Sequence, residues 1–167
     1  MLLAFTYNLI KTNLTFIGMG NTINDLRSTN GLADARDRIV GSISSFNGLV
    51  NITYFENTYC WNTVGDIGIA FANMYKLNQI WIMYAYHTGN NVYISTSSDK
   101  IYGDITVFGD KYNMTYLRIY RYINVNGQLK DLKNLKKIYA VQLSDCSCTG
   151  SQTDLYNNGA NIRLFNI

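Results

Sequence analysis

Residues 79–86 constrain the fold more than any other segment, because this stretch is apolar on both faces of an extended chain. The two alternating sets of side chains are Ile80, Ile82 and Tyr84 on one face and Trp81, Met83 and Ala85 on the other. A strand with this pattern is typical of the middle of a sheet that is covered on both sides. We therefore place this strand at the centre of the predicted fold.

The neighbouring segments predict a compact α/β module around that strand. A strand over residues 50–55 precedes a helix over residues 63–75, in which Thr63 is a suitable cap and an apolar stripe recurs at helical spacing. A turn after Tyr86 and a strand over residues 92–96 predict an antiparallel hairpin. A further strand is predicted over residues 114–125, and a second long helix over residues 32–46.

These elements predict an α/β (α+β) fold with a mixed, largely antiparallel sheet and two main helices packed on it. The chain has 167 residues, of which 47% are hydrophobic and 15% are charged, as in a folded domain. We recognise no internal repeat, linker or domain boundary, so residues 1–167 are expected to form a single domain. The Ser-, Asn- and Gly-rich stretch from about residue 145 is expected to be an irregular tail.

Chemistry-bearing residues are scarce. His87 is the only histidine and Glu56 the only glutamate. The three cysteines cannot all pair with one another and lack the spacing of a structural zinc site. We therefore predict no catalytic residue, no metal and no cofactor. A dispersed aspartate site for a divalent cation, built from element ends, is the enzymatic alternative; its candidates are Asp66, Asp99, Asp104 and Asp110.

The apolar N-terminal stretch, residues 1–10, is too short to cross a bilayer and lacks the basic lead-in of a signal peptide. We expect no membrane partner and an intracellular location. The chain contains no proline and is rich in Asn, Tyr and Ile, residues with AT-rich codons. This bias suggests a viral or mobile-element source, and so the host cytoplasm or a virion.

The predicted strand over residues 114–125 carries the strongest binding signal. Its alternation places four long polar or aromatic side chains on one face, namely Tyr116, Arg118, Tyr120 and Tyr122. Aromatic rings interleaved with arginine are typical of surfaces that stack on single-stranded nucleic acid or nucleobases. The same residue types are typical of protein–protein interfaces, and they also suit the wet face of an ordinary sheet.

Residues 50–113 resemble the C-terminal, DHHA1-type substrate-binding domain of the DHH phosphoesterases. The resemblance rests on a glycine-containing helix start at residues 64–70, strands at residues 80–84 and 92–94, and a serine cluster at residues 95–98. The family's arginine position is occupied by Ser97, and of its glycine-rich motif only Gly109 is present. The resemblance implies a surface that contacts nucleotide or phosphate without hydrolysing it. The implied residues are Ser95, Ser98, Gly109 and Lys111.

The sequence therefore predicts a non-catalytic nucleotide- or oligonucleotide-binding module. The alternative is a structural or assembly protein whose tyrosine-rich faces bind a second copy of the chain or a host protein.

Overall fold

The computed structural model describes residues 16–19, 40–58, 62–84, 86–88, 92–94, 98–156 and 162–167. Within these residues the chain winds as a solenoid, in which each coil adds one strand to each of two parallel sheets. The predicted hairpin residue Ser95 lies outside the described residues, as does most of the helix predicted over residues 32–46.

The first sheet has six parallel strands in the order β1-β3-β5-β9-β11-β13. These strands are β1 (Phe16–Met19), β3 (Tyr54–Thr58), β5 (Gln79–Met83), β9 (Tyr116–Tyr120), β11 (Ala140–Gln142) and β13 (Leu164–Asn166). The second sheet has five parallel strands in the order β12-β10-β8-β4-β2. They are β2 (Gly41–Ser42), β4 (Thr63–Asp66), β8 (Ser98–Asp104), β10 (Tyr122–Gln128) and β12 (Ser147–Thr149). The prediction of a largely antiparallel sheet is therefore wrong.

Antiparallel pairing within the described residues is limited to a short hairpin of β6 (Tyr86–His87–Thr88) and β7 (Val92–Ile94). The predicted hairpin pairing of residues 79–86 with residues 92–96 is therefore wrong for most of the first strand. β5 instead lies between β3 and β9, parallel to both. The prediction that β5 is an interior strand is confirmed, but only one of its faces is buried. Ile80 and Ile82 are fully buried, whereas Trp81 is partly exposed.

Helices are short. The described residues contain α1 (Ile67–Phe71), α2 (Gln152–Tyr156) and the 3₁₀ turns η1 (Ile43–Phe46), η2 (Ile105–Phe108) and η3 (Leu129–Leu132). The helix predicted over residues 63–75 is wrong at both ends, because its first four residues form β4 and Asp66 caps α1. Three members of the apolar stripe that predicted it, Ile67, Phe71 and Met74, are buried, but the stripe does not lie on one helix: Val64 is exposed on β4 and Met74 follows α1.

The strand predicted over residues 114–125 is two strands that meet at a corner. Arg121 separates β9 from β10 and has a φ of 63°, which turns the chain from one sheet into the other. Asp145 makes the same turn in the next coil with a φ of 56°. The two corners stack, since the Arg121 backbone N–H donates to the Ser144 carbonyl at 2.8 Å.

A glycine with positive φ marks the same point in every described coil. These glycines are Gly41, Gly65, Gly103, Gly127 and Gly150. Each precedes a short helical segment, and most successive glycines are about 24 residues apart, the period of a solenoid repeat. The interval between Gly65 and Gly103 is longer because it contains the β6–β7 hairpin. The chain is therefore built from internal repeats, contrary to the sequence-based expectation.

Core positions recur at similar distances after these glycines, although in the coil that starts at Gly65 the positions from Phe71 to Ile82 come one residue later than in the two coils that follow. The coil that starts at Gly127 buries Leu129, Leu132, Leu135, Ile138, Val141 and Leu143. The coil that starts at Gly103 buries Ile105, Phe108, Lys111, Met114, Leu117 and Ile119 at the same distances. Apolar side chains of successive coils thus stack into ladders that form one continuous core.

The last three core positions of a coil follow an L-x-x-L-x-L spacing, as in Leu77, Ile80 and Ile82. This spacing is similar to that of leucine-rich repeats, but each coil here contributes two strands, one to each sheet, and one short helical segment. The expected irregular tail after residue 145 belongs to the same repeat, because β12, α2 and β13 lie within it. Leu155 and Ile162 are buried in the core there.

Candidate functional site

The best candidate site is the outward surface of the six-stranded sheet. Strand alternation turns every second side chain of β3, β5, β9 and β11 away from the core. We call this surface the outer face; it comprises Tyr54, Glu56, Gln79, Trp81, Met83, Tyr116, Arg118, Tyr120 and Gln142. Parallel register aligns these residues in rows that run across the strands.

The middle row contains Glu56, Trp81, Arg118 and Gln142, one residue from each successive strand. Each of them occupies the position between the last two core residues of its coil. Trp81, for example, lies between Ile80 and Ile82, both fully buried. The row is therefore a direct consequence of the repeat.

Arg118 lies between two aromatic rings. Its guanidinium carbon is 5.1 Å from the centre of the Trp81 ring and 5.0 Å from that of Tyr116. Cation–π contacts of this kind stabilise the arginine side chain in one orientation. Arg118 and Trp81 nevertheless each have a buried nitrogen, Nε and Nε1, without a hydrogen-bond partner among the residues that the structure describes.

Glu56 supplies the negative charge of the row and is only 3% exposed. Its carboxylate accepts hydrogen bonds from the Tyr54 hydroxyl at 2.7 Å and the Thr58 hydroxyl at 2.9 Å. Burial and the bond to Glu56 raise the pKa of Tyr54 well above its usual value, with Arg118 opposing the shift. The phenol therefore stays protonated and holds the carboxylate in place. Among the described residues, no ion pair joins Glu56 to Arg118.

A depression of about 100 Å³ opens on the outer face between the middle row and the row that contains Tyr54, Gln79 and Tyr116. Its lining is Tyr54, Gln79, Ile80, Trp81, Tyr116 and Arg118. The two side chains with unpartnered nitrogens thus line the same depression. Tyr120, one row further along the strands, is partly buried, and that burial raises its pKa.

The structure brings together three of the sequence-predicted site residues, Tyr116, Arg118 and Tyr120, on β9. Tyr122 is not with them, because the corner at Arg121 turns it into the core, where it is 1% exposed. Its ring contacts that of Tyr84, with the centres 5.9 Å apart.

Of the four residues implied by the family resemblance, the three that the structure describes do not form one surface. Ser95 lies outside the described residues, and Ser98 is 6% exposed at the start of β8. β8 spans about 20 Å at the usual rise of a strand, and Gly109 follows η2 beyond its far end. Ser98 and Gly109 are therefore not brought together in the part of the chain that the structure describes.

Lys111 is fully buried and occupies a core position of its coil. Its ammonium donates to the Ala72 carbonyl at 3.1 Å and to Asp110 at 2.7 Å, and it lies 4.7 Å from the centre of the Tyr75 ring. These contacts satisfy the charge inside the protein and leave it unavailable to a ligand. Leu135 fills the same position in the next coil.

The predicted aspartate cluster is not found in the part of the chain that the structure describes, where no three His, Cys, Asp or Glu residues are placed to hold a metal ion. Asp66 and Asp104 instead cap α1 and η2, by accepting from the backbone N–H of Gly68 at 2.6 Å and of Thr106 at 2.8 Å. Over the same residues, no helix is long and apolar enough to cross a membrane.

Cys146 and Cys148 are free and partly buried. Their Sγ atoms lie within hydrogen-bonding distance of the Ile119 and Val125 carbonyls, at 3.5 and 3.8 Å. Burial raises the pKa of Cys146 to about 11 and that of Cys148 to about 12. Because folding favours the protonated thiols, they contribute stability below about pH 9 that is lost as the pH rises through 11 to 12.

These thiols are expected to react slowly in the native protein. In a Cys60→Ser background, alkylation by iodoacetamide at pH 8 should be at least about tenfold slower in the folded state than in urea, because far less thiolate is present. The rate is measured by mass spectrometry of the labelled peptide. Equal rates in the two states would contradict the assigned burial.

No protein-family model, curated protein or solved structure matches this chain. The resemblance to DHHA1-type domains therefore stays a prediction. Sequence reasoning missed Tyr54, Gln79 and Trp81, which join β9 on the outer face. The signal that identifies them is the repeat itself, since they occupy the outward positions of the strand in each coil.

Proposed function

We propose that the protein is a non-catalytic protein-binding module whose binding surface is the outer face. The observation that carries this proposal is the cluster of Trp81, Tyr116, Arg118 and Tyr120 on two adjacent strands, in which Arg118 stacks on Trp81 and Tyr116. Tryptophan, tyrosine and arginine contribute most of the binding energy in protein interfaces. Repeat proteins commonly use such continuous sheet surfaces to bind partners.

The charge of the outer face also supports a protein ligand. Among the described positions of this face, Arg118 is the one basic residue and Glu56 the one acidic residue. Affinity for nucleic acid depends on several lysines or arginines that neutralise successive phosphates. Lys130, Lys133 and Lys136 lie in or just after η3, outside the strands of this sheet. The outer face thus has the aromatic content of a nucleic-acid surface without its basic charge.

A random-peptide phage library tests the proposal. Peptides selected on the protein should lose at least about tenfold in affinity when Trp81 or Tyr120 is replaced by alanine, because these rings supply much of the contact area. The matched control is Tyr102→Ala, an exposed tyrosine on the second sheet, which should leave binding unchanged. Affinities are measured by fluorescence anisotropy, and circular dichroism checks that each variant is folded.

Two results would contradict the proposal. One is a selection that yields no peptide sensitive to Trp81 or Tyr120. The other is stable self-association that depends on Trp81, seen by light scattering, which would assign the outer face to a second copy of the chain.

The nucleotide-binding hypothesis is the second candidate, and the stacking of Arg118 on Trp81 and Tyr116 favours it, because nucleobases bind such aromatic and guanidinium surfaces. A fluorescein-labelled oligothymidine titrated at low salt tests it directly. Tight binding that is lost in Arg118→Gln and weakens steeply with salt would replace the protein-binding proposal with this one.

A further inference from the structure

Two side chains that line the depression on the outer face each carry a buried hydrogen-bond donor with no acceptor among the described residues. The donors are Nε of Arg118 and Nε1 of Trp81. Both nitrogens carry a hydrogen and cannot accept, so each requires an oxygen or another acceptor from elsewhere. A buried donor that lacks a partner costs free energy, and a ligand that supplies one recovers it.

The positive charge of Arg118 is also uncompensated by any ion pair among the described residues. The acidic group in its row, Glu56, is two strands away, with Trp81 between them, and the Glu56 carboxylate is already bonded to Tyr54 and Thr58. The aromatic rings around Arg118 limit its contact with water. An anionic acceptor would therefore gain a charge-assisted hydrogen bond, which is stronger than one between neutral groups.

The size of the depression restricts the acceptor to a small group. Its volume of about 100 Å³ is well below the roughly 300–1,000 Å³ of pockets that enclose a whole small molecule. It suits one side chain of a larger partner. One guanidinium matches the single negative charge of a carboxylate, whereas a phosphate monoester carries a charge nearer −2 at neutral pH.

We infer that the depression binds the carboxylate of an Asp or Glu side chain on the protein partner, with Trp81 Nε1 and Arg118 Nε as donors. The inference rests on the proposed function and adds the chemistry that selects the partner. Tyr54 and Tyr116 form the walls against which the methylene groups of the acidic side chain pack. Specificity then depends on the unpaired donors, because a partner without an acceptor leaves both of them buried and unsatisfied.

A double-mutant cycle tests the inference on peptides from the phage selection that need Trp81 for binding. Each Asp or Glu of such a peptide is replaced by Asn or Gln in turn. We expect one replacement to weaken binding at least about tenfold on the native protein, and to have little further effect on Arg118→Gln. Arg118→Lys, which keeps the charge but loses the Nε–H, should recover less than half of the loss in log Kd. Trp81→Phe removes only the indole donor and should weaken the acidic peptide more than its amide variant.

The outcomes separate the two proposals. If peptides need Trp81 for binding but keep their affinity when each carboxylate is replaced by an amide, the inference is overturned and the protein-binding proposal is not affected. A phosphoserine in place of the acidic residue that binds more than tenfold tighter would assign the depression to a phosphate instead. Failure to select any peptide that depends on the outer face would overturn both.

Discussion

Replacing Gly127 with alanine is expected to lower the free energy of unfolding by about 3 kcal/mol, the sum of backbone strain and overpacking. Gly127 has a φ of 122°, a conformation that side chains with a Cβ rarely adopt. An added Cβ would also lie 2.5 Å from Asp104 Oδ1 and 2.6 Å from Ile105 Cγ1 of the preceding coil. Urea denaturation followed by circular dichroism measures the loss.

The two atoms that an added Cβ at Gly127 would meet cannot move away without weakening other interactions that stabilise the fold. Asp104 Oδ1 accepts from the backbone N–H of Thr106 at 2.8 Å and so caps η2. Ile105 is fully buried in the core. The glycine therefore allows one coil to approach the capped helical turn of the coil before it, and Gly103 contacts Asp66 and Ile67 in the same way.

Gly41→Ala is the matched control for this substitution. Gly41 has a φ of 152°, but an added Cβ there would meet no atom of the described residues within 4 Å. It should show the backbone cost alone, about 1–2 kcal/mol. If the two variants are destabilised equally, close packing between coils is not the reason that position 127 requires a glycine.

The sequence predicted the buried positions better than the fold that contains them. Val64, Ile67, Phe71 and Met74 have helical spacing, but a coil of strand, corner and helical turn also returns to the core every three or four residues. Periodicity alone does not separate these two structures. Only Val64 fails, since it is 42% exposed on β4.

The repeat is hard to see in the sequence because individual coils depart from it. The segment between β5 and β8 contains the extra hairpin and breaks the period. Lys111 occupies a position that is otherwise apolar, and Asn57 is buried where Ile119 stands in a later coil. The outward residues of neighbouring strands can be predicted only once the coils are aligned. Alternation within one strand is enough to identify Arg118 as outward, but the apolar residues on both sides of β5 predict, wrongly, that Trp81 is covered.

Replacing Phe71 with alanine is the other substitution with a large expected effect, about 4 kcal/mol, because it creates a cavity in the middle of the solenoid. Phe71 is fully buried, and the centre of its ring is 4.9 Å from that of Phe55 and 5.6 Å from that of Phe108. The centre of the Phe46 ring lies 5.7 Å from that of Phe55 and adds a second ring from the same coil to this cluster. Stability is again measured by urea denaturation.

Two further substitutions separate loss of packing from other causes. Phe71→Leu should cost only about 1–2 kcal/mol, because Leu132 and Leu155 occupy the corresponding position in later coils and are buried there. Ile69→Ala, on the same helix, should cost less than about 0.5 kcal/mol, because Ile69 is 49% exposed.

The spread of the effect along the chain follows from the architecture. In a solenoid each coil contacts only its neighbours, so a cavity at Phe71 weakens the interface between the coils on either side of α1. Hydrogen exchange should therefore accelerate first in β3 and β5, while β11 keeps more of its protection. Uniform acceleration in all strands would instead indicate that the coils unfold as one cooperative unit. If Phe71→Ala lowers the free energy of unfolding no more than Ile69→Ala does, the assignment of Phe71 to the core is contradicted.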